Sequence, residues 1–193
     1  MTRVIAGAAR GRRLAVPAGR GTRPTSDRAR EGLFSTLESL LGSLAGRRVA
    51  DLYAGSGAVG LEARSRGASF VLLVEKDAVA VRVLRTNVAT LGLDGVVVSA
   101  GAVERVVAGE ADAPYDVVFL DPPYDLPAAR LSDVVAGLQG NGWLAPHGVL
   151  VVERASRDPQ WRWPAGVLAV RDRRYGEATL WYGRAAIPPT AGE

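Results

Sequence analysis

Apolar and polar positions change period several times along the chain, and those changes divide it. Residues 3–6 and 12–16 alternate charged and apolar side chains, as a strand with one wet face does. Gly7-Ala8-Ala9-Arg10-Gly11 between them predicts a β-hairpin. A loop rich in glycine, arginine and proline follows over 17–24. Thr25-Ser26-Asp27 then supplies capping oxygens and an acid ahead of Ala29, Leu33, Leu37, Leu40, Leu41 and Leu44. Those spacings predict a helix that lays one apolar stripe on a sheet. From Arg48 onward short apolar runs at 49–54, 70–75, 96–99, 115–121 and 149–153 alternate with helical stretches near 58–66, 77–91, 103–109 and 128–139. Repeated β-α units of this kind predict an α/β fold: a mostly parallel sheet, right-handed crossovers and helices on both faces. Two last runs, 167–173 and 178–182, flank Tyr175-Gly176-Glu177 and predict an antiparallel hairpin on one edge, with Trp181 and Tyr182 as packing residues. Trp161 and Trp163, in a proline-bounded connection, carry no signal. The expected organisation is a basic hairpin arm over 1–24, one domain over 25–184, and a disordered tail over 185–193.

Composition narrows the chemistry more than the fold. A length of 193 residues suits one domain with a sizeable core. No apolar run approaches the ~18 residues of a membrane span, and the arginine-studded start lacks the apolar centre of a secretory leader. Without cysteine, and with His147 as the one histidine, disulfides, thiolate metal sites, multi-histidine metal centres and paired histidine catalysts are excluded. A cytoplasmic bacterial-type enzyme that works without a metal, away from membranes, is the expectation. Charge is distributed unevenly. Residues 1–30 hold eight arginines against Asp27 alone, so the net +4 of the whole chain hides a neutral-to-acidic body behind a basic segment. Clustering of this kind is the footprint of polyanion binding, and Arg3, Arg10, Arg12, Arg13, Arg23 and Arg28 are the candidate nucleic-acid contacts.

Two loops hold the candidate chemistry. Asp121-Pro122-Pro123-Tyr124 closes a buried apolar run, and neither proline can extend a sheet ladder. What remains is a rigid corner with a carboxylate, backbone carbonyls and a ring. The Asp121 carboxylate and the Pro122 carbonyl can accept the two N–H bonds of a planar amine while Tyr124 stacks on the ring that bears it. The second loop, Asp51-Leu52-Tyr53-Ala54-Gly55-Ser56-Gly57-Ala58-Val59-Gly60, ends the first parallel run and opens a helix. Its glycines satisfy the dinucleotide fingerprint, and Glu75 stands about where a ribose-binding acid belongs. The glycines alone fit a nicotinamide cofactor or S-adenosylmethionine equally. Asp51 favours the latter, since a carboxylate there attracts an ammonium group and repels a pyrophosphate. Hydride transfer also has no use for a rigid acceptor of amine protons.

These residues resemble the cofactor loop, ribose acid and catalytic turn of class I S-adenosylmethionine-dependent methyltransferases that modify exocyclic amines. With Arg3-Val4-Ile5-Ala6-Gly7, Arg10-Gly11-Arg12-Arg13-Leu14, Arg23-Pro24-Thr25-Ser26-Asp27-Arg28-Ala29-Arg30-Glu31 and Leu33-Phe34, the chain resembles the RsmD family over residues 3 to about 183. The resemblance implies a Rossmann-like class I methyltransferase sheet and S-adenosylmethionine as cofactor. It implies a guanine N2 amine of 16S ribosomal RNA, free or in the small ribosomal subunit, as substrate, acted on by a monomer. It assigns catalysis to Asp121, Pro122, Pro123 and Tyr124. Cofactor binding falls to Asp51, Tyr53, Ala54, Gly55, Ser56, Gly57, Gly60, Glu75 and Lys76. One position departs: Gly101 stands where the family usually has an aspartate facing the adenine amine, leaving that bond to backbone or to the Ser99 hydroxyl. The rival readings are a DNA adenine amino-methyltransferase, which shares turn and cofactor, an NAD(P)-dependent oxidoreductase, and a catalytically silent RNA-binding module.

Overall fold

The computed structural model describes residues 2–17 and 26–186. The chain builds β1 (Thr2–Arg3), β2 (Arg13–Leu14), α1 (Asp27–Leu41), β3 (Arg48–Leu52), α2 (Ala58–Ser65), β4 (Phe70–Glu75) and α3 (Ala78–Leu91). It continues with β5 (Val96–Ala100), α4 (Val103–Val107), β6 (Tyr115–Leu120), α5 (Ala128–Gly140), β7 (Leu144–Ala155), β8 (Val167–Tyr175) and β9 (Ala178–Ala185). The last seven strands form one sheet in the order β5-β4-β3-β6-β7-β9-β8. Strands β3 to β7 are parallel, and β9 runs antiparallel to both β7 and β8. The chain winds outward from β3 through β4 to β5, then returns to lay β6 on the other side of β3. The reversal between β3 and β6 opens a crevice beyond their carboxyl ends, where sheets of this type hold ligands.

Strand periodicity divides the core in two. Val49, Val71, Leu73, Val117, Phe119, Val149, Val151, Leu180 and Tyr182 face one side, under α1, α2 and α3. Ala50, Leu52, Leu72, Val74, Val118, Leu120, Leu150 and Val152 face the other, under α4 and α5. Both faces are buried, so the central strands read as continuous apolar runs. Ser26 caps α1 by accepting from the Ala29 N–H, and Asp77 caps α3 through the Val79 and Ala80 N–H groups.

Several expectations need adjustment. The N-terminal hairpin exists, but its ladder is short: β1 and β2 have two residues each, extended by the Val4–Arg12 and Gly11–Val4 backbone bonds. Residues 5–9 leave the ladder because α2 takes their N–H groups. The fully buried Glu62 carboxylate accepts from Ile5 N (2.6 Å) and Ala6 N (2.9 Å), and Ser65 Oγ accepts from Ala9 N (2.9 Å). Gly7 makes that contact possible: at φ 80° a Cβ there would lie 1.8 Å from the Ser65 carbonyl oxygen. With Val4, Ala9 and Leu14 in the first core, the hairpin is fastened to the body. Strand β7 begins at Leu144, five residues before the expected start, because Leu144 pairs with Tyr115 ahead of a bulge. The edge hairpin is longer than expected at both strands, and β9 takes Ala185 from the expected tail. Trp161 is buried against the second core, with Trp163 edge-on to it at 5.9 Å. The readings of Arg23, of Thr25 as a capping residue and of a disordered 187–193 lie outside the described residues.

Candidate active site

A cavity of about 350 Å³ occupies the β3–β6 crevice. One wall is the β3–α2 loop: Asp51, Tyr53, Ala54, Gly55 and Ser56, then Ala58 and Val59 at the start of α2. Glu75, Lys76, Asp77 and Ala80 from the end of β4 and the start of α3 form a second. Gly101 and Val103 follow β5, Phe119 and Asp121 to Tyr124 come from β6 and its turn, and Val16 with Pro17 arrives from the N-terminal segment. The expected cofactor loop, ribose acid and catalytic turn therefore line one space.

Three of the four carboxylates that line this space, Asp51, Glu75 and Asp77, accept from backbone N–H groups. Glu75 Oε2 accepts from Gly55 N at 2.9 Å and Oε1 from Asp77 N at 2.8 Å, which fixes the loop to the β4 end. Asp51, 2% exposed, accepts from Gly60 N at 2.8 Å near the start of α2. Burial pushes its carboxyl up to about 7; the Gly60 N–H pulls it down, and the charge of Glu75 pushes it up. Asp121 directly follows β6, its N–H reaching the Leu52 carbonyl at 3.4 Å. Burial, then Glu153, then Asp51 drive its carboxyl well above the usual carboxylate range. Glu153 was not foreseen. Register explains its influence: Leu120 pairs with Val152, so Asp121 and Glu153 are level on adjacent strands. The signal was the parity of β7, since Glu153 lies two positions after the inward-facing Val151.

The turn itself is closed by Leu126 N donating to the Pro123 carbonyl at 2.9 Å. Pro122 is buried, and Tyr124 is 51% exposed at the cavity mouth. Tyr53 has a left-handed backbone (φ 67°), uncommon for a side chain of its size, and its buried hydroxyl lacks a hydrogen-bond partner among the described residues. Burial, Glu104 and, in the opposite sense, Arg130 shape a phenol held well above its ordinary value.

Two expected cofactor residues stand outside the cavity lining. Gly57 (φ 79°) caps α2, and a Cβ there would strike Leu84 at 2.4 Å. Gly60 packs α2 against the sheet, where a Cβ would meet Leu73 at 2.3 Å. Gly55 is different: a Cβ on it would meet nothing within 4 Å, so its backbone faces open space. Lys76 lines the cavity and is exposed. Ser99 is absent from the lining, whereas Gly101 is in it, with only Val106 within 4 Å of an added Cβ. Val16 and Pro17 were missed because nothing in their local pattern tells that the hairpin folds back to the cavity.

Of the candidate nucleic-acid contacts, Arg3, Arg10, Arg12, Arg13 and Arg28 are exposed. Arg12 donates to the Thr90 carbonyl, and Arg3 lies 3.8 Å from Asp27. Arg30, counted in the basic segment, is fully buried instead. It bonds Asp27 at 2.6 Å and the Arg3 carbonyl at 2.9 Å, which ties α1 to β1.

Comparison with known proteins agrees with this geometry. A family model described as Conserved hypothetical protein 95 matches residues 2–184. The Ribosomal RNA small subunit methyltransferase D of Escherichia coli K12 is 39% identical over 152 residues, 78% of this chain and 73% of that one. The enzyme of the same name from Haemophilus influenzae is 34% identical over 160 residues, 81% of this chain and 80% of that one. The solved structure of yhhF from Escherichia coli, described as a candidate methyltransferase, superposes with a TM-score of 0.83 at 34% identity, covering 95% of this chain and 97% of that one. The sheet, its switch point and the sequence match lead to one conclusion: the chain belongs to the Conserved hypothetical protein 95 family, the RsmD family that its motifs resemble.

Proposed function

We propose that this protein transfers a methyl group from S-adenosylmethionine to the N2 amine of a guanine in the 16S RNA of the small ribosomal subunit. One observation carries the reading: the Asp121-Pro122-Pro123-Tyr124 turn shares a single 350 Å³ cavity with the Asp51–Gly60 loop and Glu75. The name shared by the Escherichia coli and Haemophilus influenzae relatives, Ribosomal RNA small subunit methyltransferase D, supplies the substrate class. The donor set fits the cofactor. Glu75 braces the loop with one bond per oxygen, which leaves each oxygen a lone pair for a ribose hydroxyl. Asp51 offers a buried negative charge to an ammonium group, and the open side of Gly55 admits a ligand to the backbone. When bound, S-adenosylmethionine supplies a methyl carbon already activated for attack, so the chain has chiefly to position a nucleophile.

A guanine amine inside paired RNA is out of reach, and the base enters the cavity splayed from its stack. Tyr124, half exposed at the mouth, stacks on it. Asp121 and the Pro122 carbonyl accept the amine's two N–H bonds and direct its lone pair inward. The raised pKa of Asp121 suits it to take the proton the amine loses, with water as the other acceptor. The exposed Arg3, Arg10, Arg12 and Arg13 hold the RNA backbone, and Val16 and Pro17 connect that segment to the cavity wall.

The test is methyl transfer from labelled S-adenosylmethionine to small subunits and to protein-free 16S RNA, with the modified nucleotide mapped. Wild type labels one guanine at N2, and Asp121→Ala abolishes labelling while calorimetric affinity for the cofactor stays within a few-fold. Labelling of DNA adenine, or titration by NAD(P)H in preference to S-adenosylmethionine, would replace this reading with one of its rivals.

A further inference from the structure

Charge counting along the chain places the positive excess in residues 1–30, and the fold reveals a second concentration. Residues 154–175 carry six arginines against Asp158 and Asp172. Three of these are engaged or set apart: Arg154 pairs with Asp158 at 3.0 Å, and Arg157 and Arg162 lie in the connection after β7. Arg171, Arg173 and Arg174 stand on β8, the last strand of the sheet, where seven of nine residues are exposed.

Register fixes where those arginines point. Arg173 pairs with Leu180, Leu180 with Glu153, and Glu153 is level with Asp121. Arg173 therefore shares one cross-strand row, and one face of the sheet, with the catalytic turn. Arg171 lies one row back, opposite Tyr182, on the same face; Arg174, opposite Thr179, lies on the reverse face. The row spans three strand spacings, about 14 Å at ~4.8 Å each. That equals the rise of about four nucleotide steps at ~3.4 Å per step. The carboxyl end of β8 is pinned as well. The Tyr175 ring rests on α1 at Gly32, where a Cβ would come within 2.0 Å of the phenol oxygen. The N-terminal hairpin, by contrast, is fastened to α2 and α3, through Glu62, Ser65 and the paired bonds of Ala15 with Asn87. The catalytic mouth thus lies between two basic surfaces.

We propose that the edge strand β8 is a second RNA-backbone contact, with Arg171 and Arg173 holding phosphates of the strand that leaves the catalytic turn on the side away from the N-terminal hairpin, while Arg174 on the reverse face bonds the Gly176 carbonyl at 3.1 Å. The proposal rests on the RNA-modifying reading of the cavity. Arginine fits this role because its planar fork binds phosphate oxygens in pairs and keeps its charge at every working pH. The exposed Leu168 (62%) and Val170 lie further back on the same strand, away from the mouth, where the arginines are absent. Positive side chains also guard an exposed strand edge against pairing with another chain, and such guarding would need no RNA.

The experiment measures affinity for protein-free 16S RNA and for small ribosomal subunits across a salt series. It compares wild type, the double variant Arg171→Ala/Arg173→Ala and the corresponding double lysine variant. Two lost phosphate contacts lower the slope of log affinity against log salt by about 1.4–1.8 and weaken binding on the order of 10-fold at about 0.15 M salt. Lysine restores most of the slope, and calorimetric affinity for S-adenosylmethionine stays at the wild-type value in both variants. Should the alanine set misfold, Arg173→Glu alone gives the same two readouts. Unchanged RNA affinity and slope would reduce the arginines to edge guards and overturn the proposal. A loss seen on subunits with protein-free RNA unaffected assigns β8 to a protein partner and overturns it equally. Wild type that binds no RNA at low salt defeats the functional reading itself, which separates the two failures.

Discussion

Replacing Asp51 by asparagine should make the ligand-free protein more stable and the enzyme worse. The carboxylate is 2% exposed, and its folded-state pKa of about 7 stands above an ordinary 3.8. A raised carboxyl means that the native state keeps a proton the unfolded chain gives up. Stability is therefore lost as pH climbs from about 4 to about 7 and stays lost above that. At ~1.36 kcal/mol per unit, the ionised group at pH 8 costs on the order of 4 kcal/mol. Asparagine keeps an oxygen for the Gly60 N–H but brings two donors of its own, which offsets part of the gain. A net increase of about 2 kcal/mol corresponds to a melting temperature roughly 4–8 °C higher for a chain of this size. The difference between variant and wild type should be near zero around pH 4 and widen to its full value above pH 7. Cofactor binding moves the other way. A unit charge pair at about 4 Å, with an effective dielectric of about 20, is worth roughly 4 kcal/mol, so losing it weakens binding about 10²-fold or more. Scanning calorimetry across pH and titration calorimetry with S-adenosylmethionine read both arms. A variant that melts lower at pH 8 and binds the cofactor like wild type would show that Asp51 serves only to brace the start of α2.

Other outcomes follow from the same geometry. Because Asp121 must be ionised to accept the amine, turnover should fall as pH drops through its raised pKa; Glu153→Gln removes one of the charges holding it up and should move that acid limb to lower pH in a rate–pH profile. An unmoved limb would remove Glu153 from the site's electrostatics. Glu62→Ala strands the Ile5 and Ala6 N–H groups and should destabilise the protein by about 2–4 kcal/mol in urea unfolding, with RNA affinity falling as the hairpin detaches. Gly101→Asp, which has room for its Cβ beside Val106 alone, should tighten S-adenosylmethionine binding several-fold by supplying an acceptor for the adenine amine; weaker binding would show that backbone already fills that role.

Much of the fold could be read from one dimension because the relevant forces act over one turn or one strand. The apolar run at 70–75 matches β4 residue for residue, and the capping oxygens of Ser26 and Asp77 open their helices at or next to the expected residue. Strand ends proved less legible. Pro146 and Gly148 look like a loop, yet β7 passes through them, with His147 in a left-handed conformation (φ 61°), because the facing Tyr115 offers a partner that no local pattern announces.

The candidate site divides along the same line. Residue types and spacing were enough to nominate Asp51, Gly55, Glu75 and the Asp121–Tyr124 turn, since each lies at or just beyond the carboxyl end of a strand and carries chemistry there. Three matters depended on tertiary structure. Glycines 57 and 60 match a ligand motif, but the neighbouring side chains make them spacers between α2 and its surroundings. Arg30 counts as one more positive charge on paper and is a buried clasp in the fold. Glu153 and Arg173 stand far beyond Asp121 in the chain, yet share its cross-strand row. Local sequence determines which groups a strand end presents. Which ends meet, and what surrounds each charge, follows from how the strands are ordered and paired.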